Sequence, residues 1–175
     1  MPVMKFNKNI VLVGFMGTGK TEVGKTLARD FSREFIDTDD VIEKKLGCTV
    51  PEIFEKYGEG YFRDKEREVV KELSMLHGLV IATGGGVVIN PENIHDLKSN
   101  GVVICLTATP EAIFSRIRGD NYRPLISTPG KLEKIKELLE SRKAFYARAD
   151  AVIDTTDRGV LEVVSEIKGI LSASI

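Results

Sequence analysis

The stretch Gly14-Phe15-Met16-Gly17-Thr18-Gly19-Lys20-Thr21 fits the pattern G-x-x-x-x-G-K-[ST], and its flanks decide how the chain folds. Ahead of it runs Ile10-Val11-Leu12-Val13, an apolar, β-branched segment of strand length. Behind it Val23, Leu27 and Phe31 recur at a four-residue spacing, which places them on one face of a helix. Strand, glycine-rich turn and helix in that order make a loop that can hold phosphate. Its glycines remove side chains and permit unusual φ/ψ, so backbone N–H groups can lie against phosphate oxygens. The helix N-terminus adds partial positive charge, Lys20 can reach the β- and γ-phosphates, and the Thr21 hydroxyl can ligate Mg²⁺. The bare pattern arises by chance in about one chain in a hundred of this length, and the flanking strand and helix make chance rarer still.

Outward from that loop, short apolar runs alternate with longer amphipathic ones, the pattern of parallel βαβ units. Glu34-Phe35-Ile36-Asp37 reads as a second strand, and Asp37-Thr38-Asp39-Asp40 opens a short helix through Leu46 that Gly47 ends. Thr49-Val50-Pro51-Glu52 is a capping-box pattern with proline in the first turn, starting a helix with Ile53 and Phe54 inward. Gly58-Glu59-Gly60 breaks it, and a longer helix follows with Phe62, Val69 or Val70, Leu73 and Leu76 on its apolar side. Leu79-Val80-Ile81-Ala82 is a third strand, cut off by Thr83-Gly84-Gly85-Gly86. Val102 to Leu106 gives a fourth and Ala151-Val152-Ile153-Asp154 a fifth. Asn90-Pro91 and Thr109-Pro110 each read as an N-cap followed by proline at the first helical position. Helix is expected again from Lys131 to Ala147, and a last one carries Val160, Val163 or Val164, Ile167 and Leu171. From Gly119 to Gly130 the periodicity stops, and an irregular stretch that long inside a compact domain is usually functional or disordered. Five strands with helices between them predict a doubly wound α/β sheet, which binds ligands outside the carboxyl ends of its strands.

The chain of 175 residues is expected to form one domain with a substantial core. Its 25 basic and 26 acidic residues leave a net charge of −1, so no global field collects a polyanion and nucleic acid is not the expected partner. Cys48 and Cys105 form no C-x-x-C pair, which points to neither a disulfide scaffold nor a zinc site. Cys105 lies in an apolar run, where a buried inert thiol is the default. No signal-peptide core and no apolar run of bilayer length is found, so a cytoplasmic protein is expected.

The strand ends carry the chemistry. Many phosphate-loop enzymes place an acid at the end of a later apolar strand to hold Mg²⁺, but here the third strand runs into Thr83 and the glycines. Asp37, at the end of strand two, is then the nearest carboxylate for the ion, through water. Asp39 is left to accept or orient the proton of an attacking hydroxyl. The alternative is that this acidic run only caps a helix, with Asp40 as the capping residue. Gly84-Gly85-Gly86 suggests backbone approaching a small ligand, against the plainer reading of a tight turn. Arg63, Arg142 and Arg123 are each either solvated charge or anion ligand. Arg123-Pro124-Leu125 has the stronger context, since a loop carrying one arginine can close over developing charge. His77 and His95 receive no chemical role.

Taken together, Gly14-Phe15-Met16-Gly17-x-Gly19-Lys20-Thr21, Phe35-Ile36-Asp37-x-Asp39, Gly58-Glu59 with Phe62-Arg63, Ala82-Thr83-Gly84-Gly85-Gly86 and Arg123-Pro124-Leu125 closely resemble the shikimate kinases, as do Arg142 and Tyr146. The resemblance spans nearly the whole chain and is far more specific than the phosphate loop. It implies a three-layer αβα fold with a five-stranded parallel sheet of the nucleoside-monophosphate-kinase type, one domain over residues 1–175 with a lid at about 119–130. The implied reaction is phosphorylation of the 3-hydroxyl of shikimate by MgATP. The implied catalytic set is Lys20, Asp39 and Arg123. ATP would be held by Gly17, Thr18, Gly19, Lys20, Thr21 and Glu22, with Arg116 stacked on adenine, Arg123 on the phosphates and Arg158 from the segment after strand five. Shikimate would meet Asp39, Arg63, Gly84, Gly85, Gly86 and Arg142, the two arginines gripping its carboxylate in the bidentate way that lysine cannot. Thr21 and Asp37 would serve Mg²⁺; Thr21 stands where serine is often seen and keeps the hydroxyl. The expected partners are ATP and shikimate, with no nucleic acid and no membrane, and the chain is expected to act as a monomer. The competing readings are a gluconate or nucleoside-monophosphate kinase, and a nucleotide-dependent switch. Nucleotide acceptors usually need a larger binding domain, and no N-K-x-D-like guanine-reading motif supports a switch.

Overall fold

A computed structural model describes residues 6–118 and 130–174. Strands β1 (Asn9–Val13), β2 (Phe35–Asp37), β3 (Val80–Ala82), β4 (Gly101–Thr107) and β5 (Ala151–Asp154) form one sheet in the order β2-β3-β1-β4-β5. All four pairings are parallel. Every residue of β1 is buried, because β1 is the central strand and both faces of the sheet are covered. The period-two alternation then sorts the strands into two cores. Ile10 and Leu12, with Val80, Ile104 and Ile153, pack on α1 (Lys20–Phe31) and α7 (Val160–Ala173). Val11 and Val13, with Ile81, Val103 and Cys105, face the other way. That face is covered by α3 (Val50–Ser74), α4 (Pro91–Ser99), α5 (Pro110–Ile117) and α6 (Lys131–Tyr146). Helix α2 (Thr38–Leu46) packs beside the start of α3. The result is the three-layer α/β fold expected from the sequence.

Local signals place most boundaries. Asn90 and Thr109 cap α4 and α5 through their side chains, each with proline following. Thr49 and Glu52 close the capping box of α3, and Gly47 ends α2 in the left-handed conformation. Gly58 breaks α3 as expected: its φ of 80° and ψ of 172° interrupt an otherwise continuous 25-residue segment. One expectation fails, and one alternative shifts to a nearby residue. Leu76 is 49% exposed and lies past the end of α3, so the apolar stripe stops at Leu73. Asp40 does not cap α2; Asp37 does, accepting the Asp39 N–H at 2.9 Å, while Asp40 is exposed. The cap falls on Asp37 because the strand ends there and the helix begins at the next residue.

Strand register brings the carboxyl ends of β1, β2 and β3 level, with both Leu12 and Asp37 opposite Ala82. The chain crosses over β1 between β3 and β4, so the loop after β1 lies at the point where strand order reverses. Gly14 makes that loop possible. Its φ is +138°, and a Cβ there would fall on the Leu106 carbonyl oxygen of β4. Gly14→Ala should therefore cost about 3 kcal/mol or more. Urea unfolding would show this as a lower midpoint, and an unchanged midpoint would mean that the β1–β4 contact is not the constraint.

Candidate active site

Beyond Gly14 the loop turns on two more left-handed glycines, Gly17 at φ 75° and Gly19 at φ 99°, and Gly19 leads into α1. Lys20 reaches back across the turn, its ammonium donating to the carbonyls of Gly14 (2.7 Å) and Phe15 (2.8 Å). Thr18 is buried and its hydroxyl donates to the Phe15 carbonyl (2.8 Å), so its side chain is turned inward. Thr21 and Glu22 are exposed in the first turn of α1. Lys20 also lends its charge to Asp37 and to Cys105. Burial nevertheless pushes the Cys105 thiol up to about 11, which leaves it inert as expected.

Each of the three glycines after β3 faces a different part of the acceptor side. A Cβ on Gly84 would lie 2.9 Å from Asp39 Oδ1 and 3.0 Å from Glu66 Oε2. On Gly85 it would lie 3.6 Å from Arg142 Nη1 and 3.5 Å from the Met16 nitrogen of the phosphate loop. On Gly86 it would sit 2.6 Å from both Cζ and Nη1 of Arg63. The triplet is thus a side-chain-free wall against which Asp39, Arg63 and Arg142 converge. Hydrogen bonds hold the wall to its neighbours: Thr38 Oγ1 accepts the Gly84 N–H (3.1 Å), and Thr83 donates from its hydroxyl to the Leu12 carbonyl (3.1 Å). The triplet is a tight turn as well, Gly84 accepting from the Val87 N–H at 3.2 Å, and the contacts add to the turn rather than replace it.

Burial of charge marks this region. Arg142 is 4% exposed, with its guanidinium over the Phe15 ring at 5.7 Å. Glu66 is 1% exposed and was not singled out from the sequence. Its Oε1 accepts from Arg63 Nη1 at 3.0 Å, while Oε2 is buried and makes no hydrogen bond among the described residues. Burial pushes the Glu66 carboxyl above its ordinary range, against the charges of Arg63 and Arg142 that pull it down. A signal for it existed: Phe62, Glu66, Val69 and Leu73 share one helical stripe, and an acid in an apolar stripe needs a partner. Glu59 accepts from Arg63 on the outer side, at 3.1 Å.

On the opposite side of the phosphate loop a cavity of about 280 Å³ is lined by Gly17, Gly19, Glu22, Arg116, Thr155 and Arg158 among others. Arg116 donates to the carbonyls of Gly17 (3.0 Å) and Thr155 (2.8 Å) and to the Thr155 hydroxyl (3.1 Å). Such bonds lie in the guanidinium plane and leave its faces for stacking. Arg158 donates to the Asp154 carbonyl (3.0 Å) and pairs with Glu166 (2.7 Å). Thr155, buried just past the end of β5, lies in the segment 154–158 that the resemblance places around adenine; its hydroxyl lies 2.9 Å from the Thr18 carbonyl. Arg123 and the segment 119–129 lie outside the described residues.

A phosphate loop at the reversal of a parallel sheet, with two arginines and a carboxylate facing it across a glycine wall, defines a phosphate-loop kinase for a small acceptor. The family model for shikimate kinase matches residues 16–172. A shikimate kinase of Thermoanaerobacter pseudethanolicus is 52% identical over 160 residues, covering 91% of this chain and 94% of the relative. One from Geobacter sulfurreducens is 46% identical over 167 residues, with 95% and 92% covered. Among solved structures, shikimate kinase from Acinetobacter baumannii in complex with shikimate superposes with a TM-score of 0.93 at 38% identity, covering 97% of this chain and 96% of that one. Shikimate kinase from Bacteroides thetaiotaomicron gives 0.87 at 32% identity, with 95% and 99% covered. The chain belongs to the shikimate kinase family.

A Cβ at Gly86 would collide with the end of the Arg63 side chain, which would have to move. Gly86→Ala should displace the Arg63 guanidinium from Glu66 and lower the melting temperature by about 3–8 °C. Calorimetry at the parent value would show that Arg63 yields without loss.

Proposed function

We propose that this chain performs the reaction of its family, ATP-dependent phosphorylation of shikimate to shikimate 3-phosphate, with the acceptor seated against the Gly84–Gly86 wall. The observation that carries this reading is the convergence of Asp39, Arg63 and Arg142 on three successive side-chain-free residues beside the phosphate loop. A hydroxy-carboxylate fits that arrangement: two guanidinium groups for its carboxylate, one carboxylate for its hydroxyl, bare backbone for its ring. Asp39, in the first turn of α2, takes the hydrogen bond of the attacking hydroxyl. Glu66 holds Arg63 in place through a paired, buried contact, so the clamp is preorganised before the acceptor arrives.

ATP lies with its phosphates along Gly17 to Thr21, where backbone N–H groups and the start of α1 meet negative charge. Lys20 stands over the same turn as the group that follows charge onto the β- and γ-phosphates. The base takes the cavity beside Arg116, with Arg158 and Thr155 at its edge. Thr21 and Asp37 are the residues that would hold Mg²⁺. No group of three or more His, Cys, Asp or Glu that could hold a metal stands among the described residues, and the pair offers oxygen donors only. This donor set suits Mg²⁺, which keeps several waters and is bound through one or two protein oxygens plus substrate phosphates. When bound, the ion neutralises charge on the phosphates. The protein works as a monomer in the cytoplasm; no helix among the described residues is long and apolar enough to cross a membrane.

ADP formation from MgATP with shikimate, gluconate and nucleoside monophosphates tests the acceptor directly. Turnover with shikimate alone is expected, and turnover with another acceptor would overturn the roles given to Arg63 and Arg142. Asp39→Asn should lower kcat by about 10²–10⁴, since the amide cannot take the hydroxyl proton; near-normal kcat would remove that role. Arg142→Ala should weaken shikimate far more than ATP. Equal loss of both would mean that it is no carboxylate clamp.

A further inference from the structure

A buried phenol must place its O–H, and the mechanism above gives Tyr146 no task. Tyr146 ends α6, is 9% exposed, and donates its hydroxyl to the Gly85 carbonyl at 2.7 Å. Arg142, one turn earlier on the helix, lies beside the same glycine, its Nη1 3.6 Å from where a Gly85 Cβ would stand. A carbonyl only accepts, so the phenol gives its one proton to Gly85. Burial, against the charge of Arg142, pushes the phenol up to about 12, so that proton stays in place at neutral pH.

The ring is not held by packing alone. One side of it borders a cavity of about 530 Å³ that Cys105, Leu139 and Ala147 also line. The ring packs in the core on this face of the sheet, and the hydroxyl bond sets where its polar end points. Its acceptor is the middle residue of the glycine wall. The Gly85 carbonyl lies in the peptide plane that joins Gly85 to Gly86, so holding it fixes the backbone that Gly86 turns to Arg63. Glycines offer no side chain to fix that plane, and the Tyr146 bond adds to the hydrogen bonds by which Gly84 and Gly86 are held.

We propose that Tyr146 is a positioning residue of the acceptor site, holding the Gly85 carbonyl beside the Arg142 guanidinium so that wall and clamp are presented to the acceptor together. The inference rests on the reading of Arg142 as a carboxylate clamp. Tyr146 touches no reacting atom, and its effect falls on acceptor binding while the phosphate loop and α1 stay as they are.

Initial rates of the intact enzyme separate these roles, with shikimate varied at saturating ATP and ATP varied at saturating shikimate. The parent, Tyr146→Phe and Arg142→Ala are compared, and thermal melting confirms that each is folded. Phenylalanine keeps the ring and removes only the hydroxyl. Tyr146→Phe should raise KM for shikimate about five- to tenfold, while kcat and KM for ATP stay within about twofold. A KM for shikimate within about twofold of the parent, or equal rises for both substrates, would overturn the proposal. If Arg142→Ala raises KM for shikimate and Tyr146→Phe does not, the clamp stands and only the role of Tyr146 is lost. If neither variant moves it, the clamp reading has failed and takes this inference with it.

Discussion

Strand β1 can deliver the chain into a phosphate loop only because Gly14 has no side chain. β1 is central and wholly buried, so the backbone leaving it must pass within contact of the neighbouring strand β4. A left-handed φ and a missing Cβ are the conditions of that passage. Once the turn is made, Gly17 and Gly19 carry it into α1, and Lys20 folds back onto the carbonyls of Gly14 and Phe15. The order of the strands places this turn where connections diverge to either side, leaving a crevice for a ligand.

The same device is used at the end of β3. There the absent side chains belong to Gly84, Gly85 and Gly86, and charged groups rather than a strand come up against the bare backbone. Burying Arg142 and Glu66 is unfavourable unless each finds partners. Arg142 has the face of Phe15; Glu66 has Arg63, with one carboxylate oxygen left over at the wall of the acceptor site. Charges kept in such places are usually there for binding or catalysis. Phe15 links the two halves of the site, since its carbonyl meets Lys20 and its ring meets Arg142.

Much of this was legible in residue order. The five strands, the capping of α3, α4 and α5, the break at Gly58 and the phosphate loop all follow from short-range patterns, which act over a turn or a few strand residues. Leu76 was misplaced because periodicity says where a stripe would continue, not where the helix stops. The cap falls on Asp37 rather than Asp40 for a similar reason: the boundary between β2 and α2 is set by pairing with β3, which lies more than forty residues on. Glu66 was overlooked although its position in an apolar stripe marked it, because an acid on a long charged helix reads as solvated until its neighbours are known.

The sequence by itself determined that there is a phosphate loop between a strand and a helix, that the sheet is parallel, and which residue types stand at the strand ends. Glycine, proline and capping signals are local, and local sterics suffice to read them. Only the tertiary structure decided that Asp39, Arg63, Glu66 and Arg142 face one wall, since they come from α2, α3 and α6 and meet beyond the end of β3. It also decided that the Thr18 side chain turns inward and that the Tyr146 hydroxyl reaches Gly85. Those pairings span up to 61 residues and depend on how helices pack over the strands, which no spacing along the chain encodes.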